Sequence, residues 1–227
     1  MRSRLARVLL VALVLQGCGG EPRRFATRPH APVYVVRAGD TLYSISWRNG
    51  LDYHDLARWN GIGGDYRIDV GQTLTLQPQA AGPSPVAASR APARPPVEAP
   101  LPVTAPPHWA WPADGIATAT VGQPGGGVGL RIAGASASPV RAAAAGRVVY
   151  TGAGLRAYGA LVIIKHDDTW LSAYGYNSTL YVAEGESVRE GQQIAAMGTG
   201  PGNQPMLYFE IRRNGRPVDP QRQLPPR

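Results

Sequence analysis

The chain has 227 residues, with 23 Lys plus Arg against 15 Asp plus Glu and a formal charge of +8. That length allows one to three small domains, and 28 Gly with 22 Pro require part of it to be linker. The positive charge is mild and scattered. Residues 33–76 carry 4 basic and 5 acidic groups, residues 108–227 carry 11 and 8, and no basic helix or aromatic RNA motif accompanies them. Nothing in this distribution supports nucleic-acid binding.

Residues 1–17 read as a secretion signal. Arg2, Arg4 and Arg7 precede an apolar run, Val8 to Leu15, that is too short to span a bilayer. It ends in Leu15-Gln16-Gly17-Cys18, which resembles a bacterial lipobox. The resemblance implies a lipid on Cys18, which becomes the new N-terminus, and Gly19 after it implies transfer to the outer membrane. A plain signal peptide with an incidental Cys is the alternative. Cys18 is the only cysteine, so no intramolecular disulfide can form. Residues 18–32 follow as a short polar tether with Pro22, Pro29 and Pro32.

Residues 33–76 predict a βααβ unit. Val33 to Val36 are β formers. Asp40 or Thr41 can cap a helix whose apolar face is Leu42, Ile45 and Trp47. A second helix fits Tyr53 to Trp59, with Leu56 and Trp59 on one face and Asn60-Gly61 ending it. Leu74-Thr75-Leu76 closes the unit as a strand. With Val35-Val36-x-x-Gly39-Asp40-Thr41-Leu42, Asn60 and Val70-Gly71-Gln72-x-Leu74, the segment resembles a LysM domain. The resemblance implies binding to peptidoglycan glycan, with Gly39, Asp40, Thr41 and Leu42 on one side of a groove and Ile62 and Gly63 on the other. Asp40 and Thr41 as caps and Leu42 as core is the alternative, and both readings can hold together.

Residues 77–107 are rich in Pro and Ala and carry Arg90, Arg94 and Glu98 as their only charges, which predicts a semi-extended linker. Residues 108–227 predict a mostly antiparallel β domain. Arg147 to Tyr150 reads as one strand, Leu161 to His166 and Trp170 to Tyr174 as a hairpin turning at Asp167-Asp168. Tyr208 to Arg212 and Arg216 to Val218 form another hairpin around Asn214-Gly215, the strongest short-range turn signal.

This second domain runs through Gly129-Leu130-Arg131-Ile132, Gly146-Arg147-Val148-Val149, Val162 to His166, Ser172-Ala173-Tyr174, Leu207 to Ile211 and Pro217-Val218-Asp219-Pro220. It resembles the LytM-like (M23) murein endopeptidases. Active members carry His-x-Gly-x-Asp, Tyr-x-His and His-x-His-Phe, and the positions that correspond here are Gly127, Arg131, Tyr176, Met206 and Tyr208. Gly and Met offer zinc no usable ligand, Arg131 would repel it, and Tyr208 could ligate only as an unusual phenolate. A hydrolytic zinc needs three protein ligands and an open water position. No catalytic residue, metal or cofactor is therefore predicted. His30, His54, His108 and His166 show no metal-ligand spacing, and His166 reads as structural. The vacated groove of two Tyr, a Met and an Arg suits partner contact; filling of an empty metal pocket is the alternative.

Lipobox, LysM unit, Pro-rich linker and degenerate LytM-like domain, in that order, together resemble the NlpD-type murein hydrolase activators. Leu155-Arg156-x-Tyr158-Gly159 and Ile163 to Asp168 strengthen the match. The resemblance implies a non-catalytic, multi-domain lipoprotein held on septal peptidoglycan. Its groove of Gly127, Arg131, Tyr176, Met206 and Tyr208 would bind a periplasmic N-acetylmuramoyl-L-alanine amidase and favour that enzyme's open state, so that daughter cells separate. The alternative is a passive tether between outer membrane and peptidoglycan.

Overall fold

The computed structural model describes residues 33–78, 106–123 and 127–227. The secretion signal, Cys18, the tether and nearly all of the Pro-rich segment lie outside the described residues. The LysM unit has the expected order: β1 (Val33–Val35), α1 (Leu42–Asn49), α2 (Tyr53–Trp59) and β2 (Thr73–Thr75). β1 and β2 pair antiparallel, Tyr34 opposite Leu74. Thr41, not Asp40, caps α1, in a capping box with Ser44. Gly50 ends that helix in the left-handed region at φ 65. Asp52 caps α2 by accepting from the His54 backbone N–H. Asn60 ends α2 and ties it to β2, exchanging side-chain hydrogen bonds with the Thr75 backbone at 2.7 and 2.9 Å.

The core of this unit is Val36, Leu42, Ile45, Leu56, Ala57 and Leu74. Two corrections to the sequence reading follow. Leu42 is wholly buried, so it supports the first loop from beneath and cannot line a groove with its side chain. Trp47 is not part of this core; it faces the second domain. The reason is helical geometry: Leu42 and Ile45 share a face, while Trp47 lies on another.

The second domain is a ten-stranded antiparallel sheet. Its strands are β3 (Ile116–Gln123), β4 (Gly127–Ala133), β5 (Pro139–Arg141), β6 (Gly146–Gly152), β7 (Ala160–Lys165), β8 (Trp170–Leu180), β9 (Ser187–Val188), β10 (Gln193–Met197), β11 (Met206–Arg213) and β12 (Arg216–Val218). The path runs β3-β4-β11-β8-β7-β6-β9, with β10 joining β5 to β8 and β12 on β11. Period-2 alternation sorts the side chains. Leu207, Phe209 and Ile211 enter the main core with Val162 and Ile164. Tyr208 faces the other way, with Leu161 and Ile163.

That other face is covered by the LysM unit. Trp47 and Tyr53 join Tyr150, Leu155, Tyr158, Leu161, Ile163, Leu171, Ala173, Tyr176 and Tyr208 in one apolar cluster. The Asn214-Gly215 turn closes the β11–β12 hairpin with φ 47 and 69, the signature of a type I′ turn. The same turn abuts the start of α2: a Cβ on Gly215 would stand 2.5 Å from the Asp52 Cα.

Candidate functional site

The predicted groove is built where β4, β8 and β11 meet. Tyr208 lies opposite both Arg131 and Gly175 in the ladders. Gly127 opens β4, and Gly129 and Arg131 follow at the two-residue period that puts all three on one face. The Tyr208 ring lies over Gly129, where a Cβ would come within 2.8 Å of it. Tyr176 stands at a bulge in β8, between Tyr174 opposite Val162 and Asn177 opposite Ala160. Its φ of 62 is unusual for a bulky residue and marks local backbone strain. The bulge re-aims its ring to 6.2 Å from that of Tyr208. Met206 and Tyr176 meet beneath Gly200, where a Cβ would fall 2.7 Å from the Met206 Sδ and 2.9 Å from the Tyr176 ring.

The structure thus brings Arg131, Tyr176, Met206 and Tyr208 together, but not as equals. Tyr208 has no exposed surface, which corrects the expectation that it touches a partner. Its hydroxyl donates to Glu210 Oε2 at 2.6 Å. Burial, reinforced by the Glu210 carboxylate, pushes its pKa far above the ordinary 10.0. Tyr176 is also buried and donates to the Ala157 carbonyl at 3.2 Å. Arg131 and Met206 are half-buried and reach the surface. The Arg131 guanidinium is close enough to Tyr176 to offset part of the upward shift that burial gives its hydroxyl. Arg131 Nε is buried and hydrogen-bonds to none of the described residues.

These donors do not fit a zinc ion. A glycine supplies no ligand, a thioether is a poor one for this metal, and a guanidinium brings positive charge. The phenolate that Tyr208 would need is the form that burial and Glu210 disfavour. No hydrolytic step is assigned through a metal here.

Sequence reading missed the residues beyond the groove. Tyr208, Glu210 and Arg212 share one face of β11. Glu210 Oε1 accepts from Arg212 Nε at 2.6 Å, and both side chains are essentially inaccessible. Arg212 Nη1 donates to the Trp47 carbonyl at 3.0 Å, and its guanidinium lies 3.7 Å from the Trp47 ring centre. A polar chain therefore runs from the groove floor to α1. The signal in the sequence is alternation: Tyr208, Glu210 and Arg212 stand at every second position of one strand.

The remaining predicted residues divide similarly. Gly39, at φ 80, is exposed; Thr41 is half-buried and committed to its cap. Asp40 Oδ2 accepts from the Tyr34 hydroxyl and the Arg37 backbone N–H. Gly63 is exposed, and Ile62 is half-buried against the LysM core. His166 bonds the Ala145 carbonyl and the Ser172 hydroxyl, each at 2.7 Å, and burial pushes its pKa down to about 4. Those contacts are structural.

Fold and site define a two-domain protein: a LysM unit docked on an M23-type β domain. Residues 34–77 match the LysM domain and residues 126–220 match Peptidase family M23. The chain is 43% identical to the lipoprotein NlpD/LppB homolog of Pseudomonas aeruginosa, over 86% of this chain and 77% of that one. It is 37% identical to the lipoprotein YgeR of Escherichia coli K12, over 98% and 92%. With the murein hydrolase activator NlpD of the same organism it shares 35% identity over 86% and 68%. The chain belongs to the NlpD-type family of murein hydrolase activator lipoproteins.

Proposed function

We propose that this protein is a non-catalytic activator of a periplasmic N-acetylmuramoyl-L-alanine amidase. In this reading it is lipid-anchored through Cys18 to the outer membrane and held on septal peptidoglycan by its LysM domain. The observation that carries it is the groove. On the reading that Gly127, Arg131 and Tyr208 correspond to the ligand positions of active M23 members, that groove holds a half-buried cation, Arg131, whose Nε has no hydrogen-bond partner among the described residues. A guanidinium that forms no ion pair among the described residues suits an acidic partner group, and Met206 in the same groove offers an adaptable apolar contact. The name of the Escherichia coli relative supports activation of a murein hydrolase. The contact face is Arg131, Met206 and the edge of Tyr176; Gly127 shapes the backbone, and Tyr208 acts from beneath. An activator of this type binds the enzyme's open state more tightly than its closed state.

The test is release of dye-labelled peptidoglycan by a purified amidase from the same cell. Wild-type protein is expected to stimulate release in the mixture and to release nothing alone with added zinc. Arg131→Glu should cut stimulation by at least about tenfold, the size of one charge-assisted contact, while leaving sedimentation with peptidoglycan intact. Stimulation by none of the cell's amidases would leave the passive tether as the better reading.

A further inference from the structure

Beside the contact between α1 and the sheet, the two domains diverge and leave a cleft of about 890 Å³. One wall is the LysM loop from Arg37 to Asp40 with Tyr34 behind it; the other is the segment from Tyr150 to Tyr158. Both walls are held. Arg48 donates to the Tyr34 hydroxyl at 2.6 Å and to Asp40 at 3.3 Å, which locks the LysM loop to α1. Opposite, the Gly154 N–H donates to the Tyr150 hydroxyl at 3.1 Å. Gly152, at φ 154, lets the chain wrap that hydroxyl, since a Cβ there would lie 3.1 Å from it.

Two further cations line this cleft, Arg37 with its guanidinium 5.9 Å from the Tyr34 ring centre and Arg156. Arg37 is exposed on the LysM wall and Arg156 on the opposite wall. Neither forms an ion pair among the described residues. The lining carboxylate, Asp40, is already engaged by Tyr34 and Arg48. The cleft leaves out Ile62 and Gly63, so it is not the groove expected of an isolated LysM domain. It shares only the Gly39–Asp40 loop with that groove.

We propose that this cleft is a second saccharide site, built jointly by the two domains, which takes a carboxylate-bearing stretch of a peptidoglycan strand. The proposal rests on the peptidoglycan reading of the LysM domain. A strand crossing the Gly39–Asp40 loop enters a space of the size that holds a disaccharide-sized ligand. Tyrosine and backbone amides suit sugar hydroxyls, while Arg37 and Arg156 meet stem-peptide carboxylates from opposite sides. The degenerate domain then provides half of a glycan site as well as a groove. The segment Arg156–Tyr158 lines this cleft and also touches the groove, where the Ala157 carbonyl accepts from the Tyr176 hydroxyl.

The experiment is calorimetry on the mature full-length chain in detergent, with two probes: a soluble murein disaccharide-tetrapeptide and the uncharged N-acetylglucosamine tetrasaccharide. Arg156→Glu and Arg37→Glu, both at exposed positions, are expected to keep the wild-type melting temperature. Each should weaken disaccharide-tetrapeptide binding about tenfold and leave the tetrasaccharide unchanged. Unchanged binding of both probes by both variants would overturn the joint site while the LysM reading stands. Failure of wild-type protein to bind either probe would instead remove the peptidoglycan reading, and the proposal with it.

Discussion

Tyr208 shows how far one residue's role depends on depth. As a residue type in a groove it suggests a binding contact; wholly buried on Glu210, it is a strut. Loss of stimulation in a Tyr208→Ala variant would therefore report a lost core, since removing a buried aromatic costs about 3–5 kcal/mol. Arg131 and Met206 are the informative positions. His166 supports a separate prediction. Its folded pKa of about 4 lies below the ordinary 6.5, so between those values the unfolded chain binds more protons. Stability is present above about pH 6.5, falls as pH drops toward 4, and has no further His166 contribution below that. The loss is up to about 3 kcal/mol. Urea melts of wild type and His166→Gln across pH 4 to 7 should converge at the acid end, with the variant flatter. Asp52 and Asp168, whose carboxyls sit below the usual 3.8, add losses only at lower pH.

At the scale of elements, the strongest local signals gave the right structures. The Asn214-Gly215 hairpin, a helix cap at Asp40 or Thr41 and the paired α1 and α2 were legible because each depends on neighbours in sequence. β8 was not: it continues to Leu180 through the Tyr176 bulge, whose existence depends on pairing with β7 and β10. The Asn214-Gly215 turn also has a second use. Gly215 needs no side chain for its own φ, and again for Asp52. Gly215→Ala is expected to lower the melting temperature by several degrees, more than a left-handed alanine alone requires, because Asp52 must also move. Gly215→Ala in a chain already undocked by a second substitution should show the smaller, purely local effect.

For the molecule as a whole, the LysM unit is a docked part rather than a freely tethered bead. Trp47 is 1% exposed yet lies outside the LysM core, so its burial belongs to the interface. Trp47→Ala should leave the LysM fold intact and weaken docking by about 3–5 kcal/mol. Small-angle scattering would then show a larger radius of gyration at unchanged helix and sheet content by circular dichroism. An unchanged radius would mean that Tyr53 and the Asn214-Gly215 turn hold the domains without it. The buried Glu210–Arg212 pair gives this interface specificity: two desolvated charges are tolerable only with the Tyr208 hydroxyl and the Trp47 carbonyl and ring in place.

By itself, the sequence determined the two fold types, their order and which side-chain types stand in the β-domain groove. Periodicity, caps and turns act over a few residues, and a ligand's chemistry is a property of its side chain. Tertiary structure decided which groove residues reach solvent, where Trp47 points, and that LysM and β domain share a cleft. Those outcomes depend on which strand faces meet and which surfaces exclude water, across separations such as the 165 residues between Trp47 and Arg212. No local pattern along the chain encodes such a meeting.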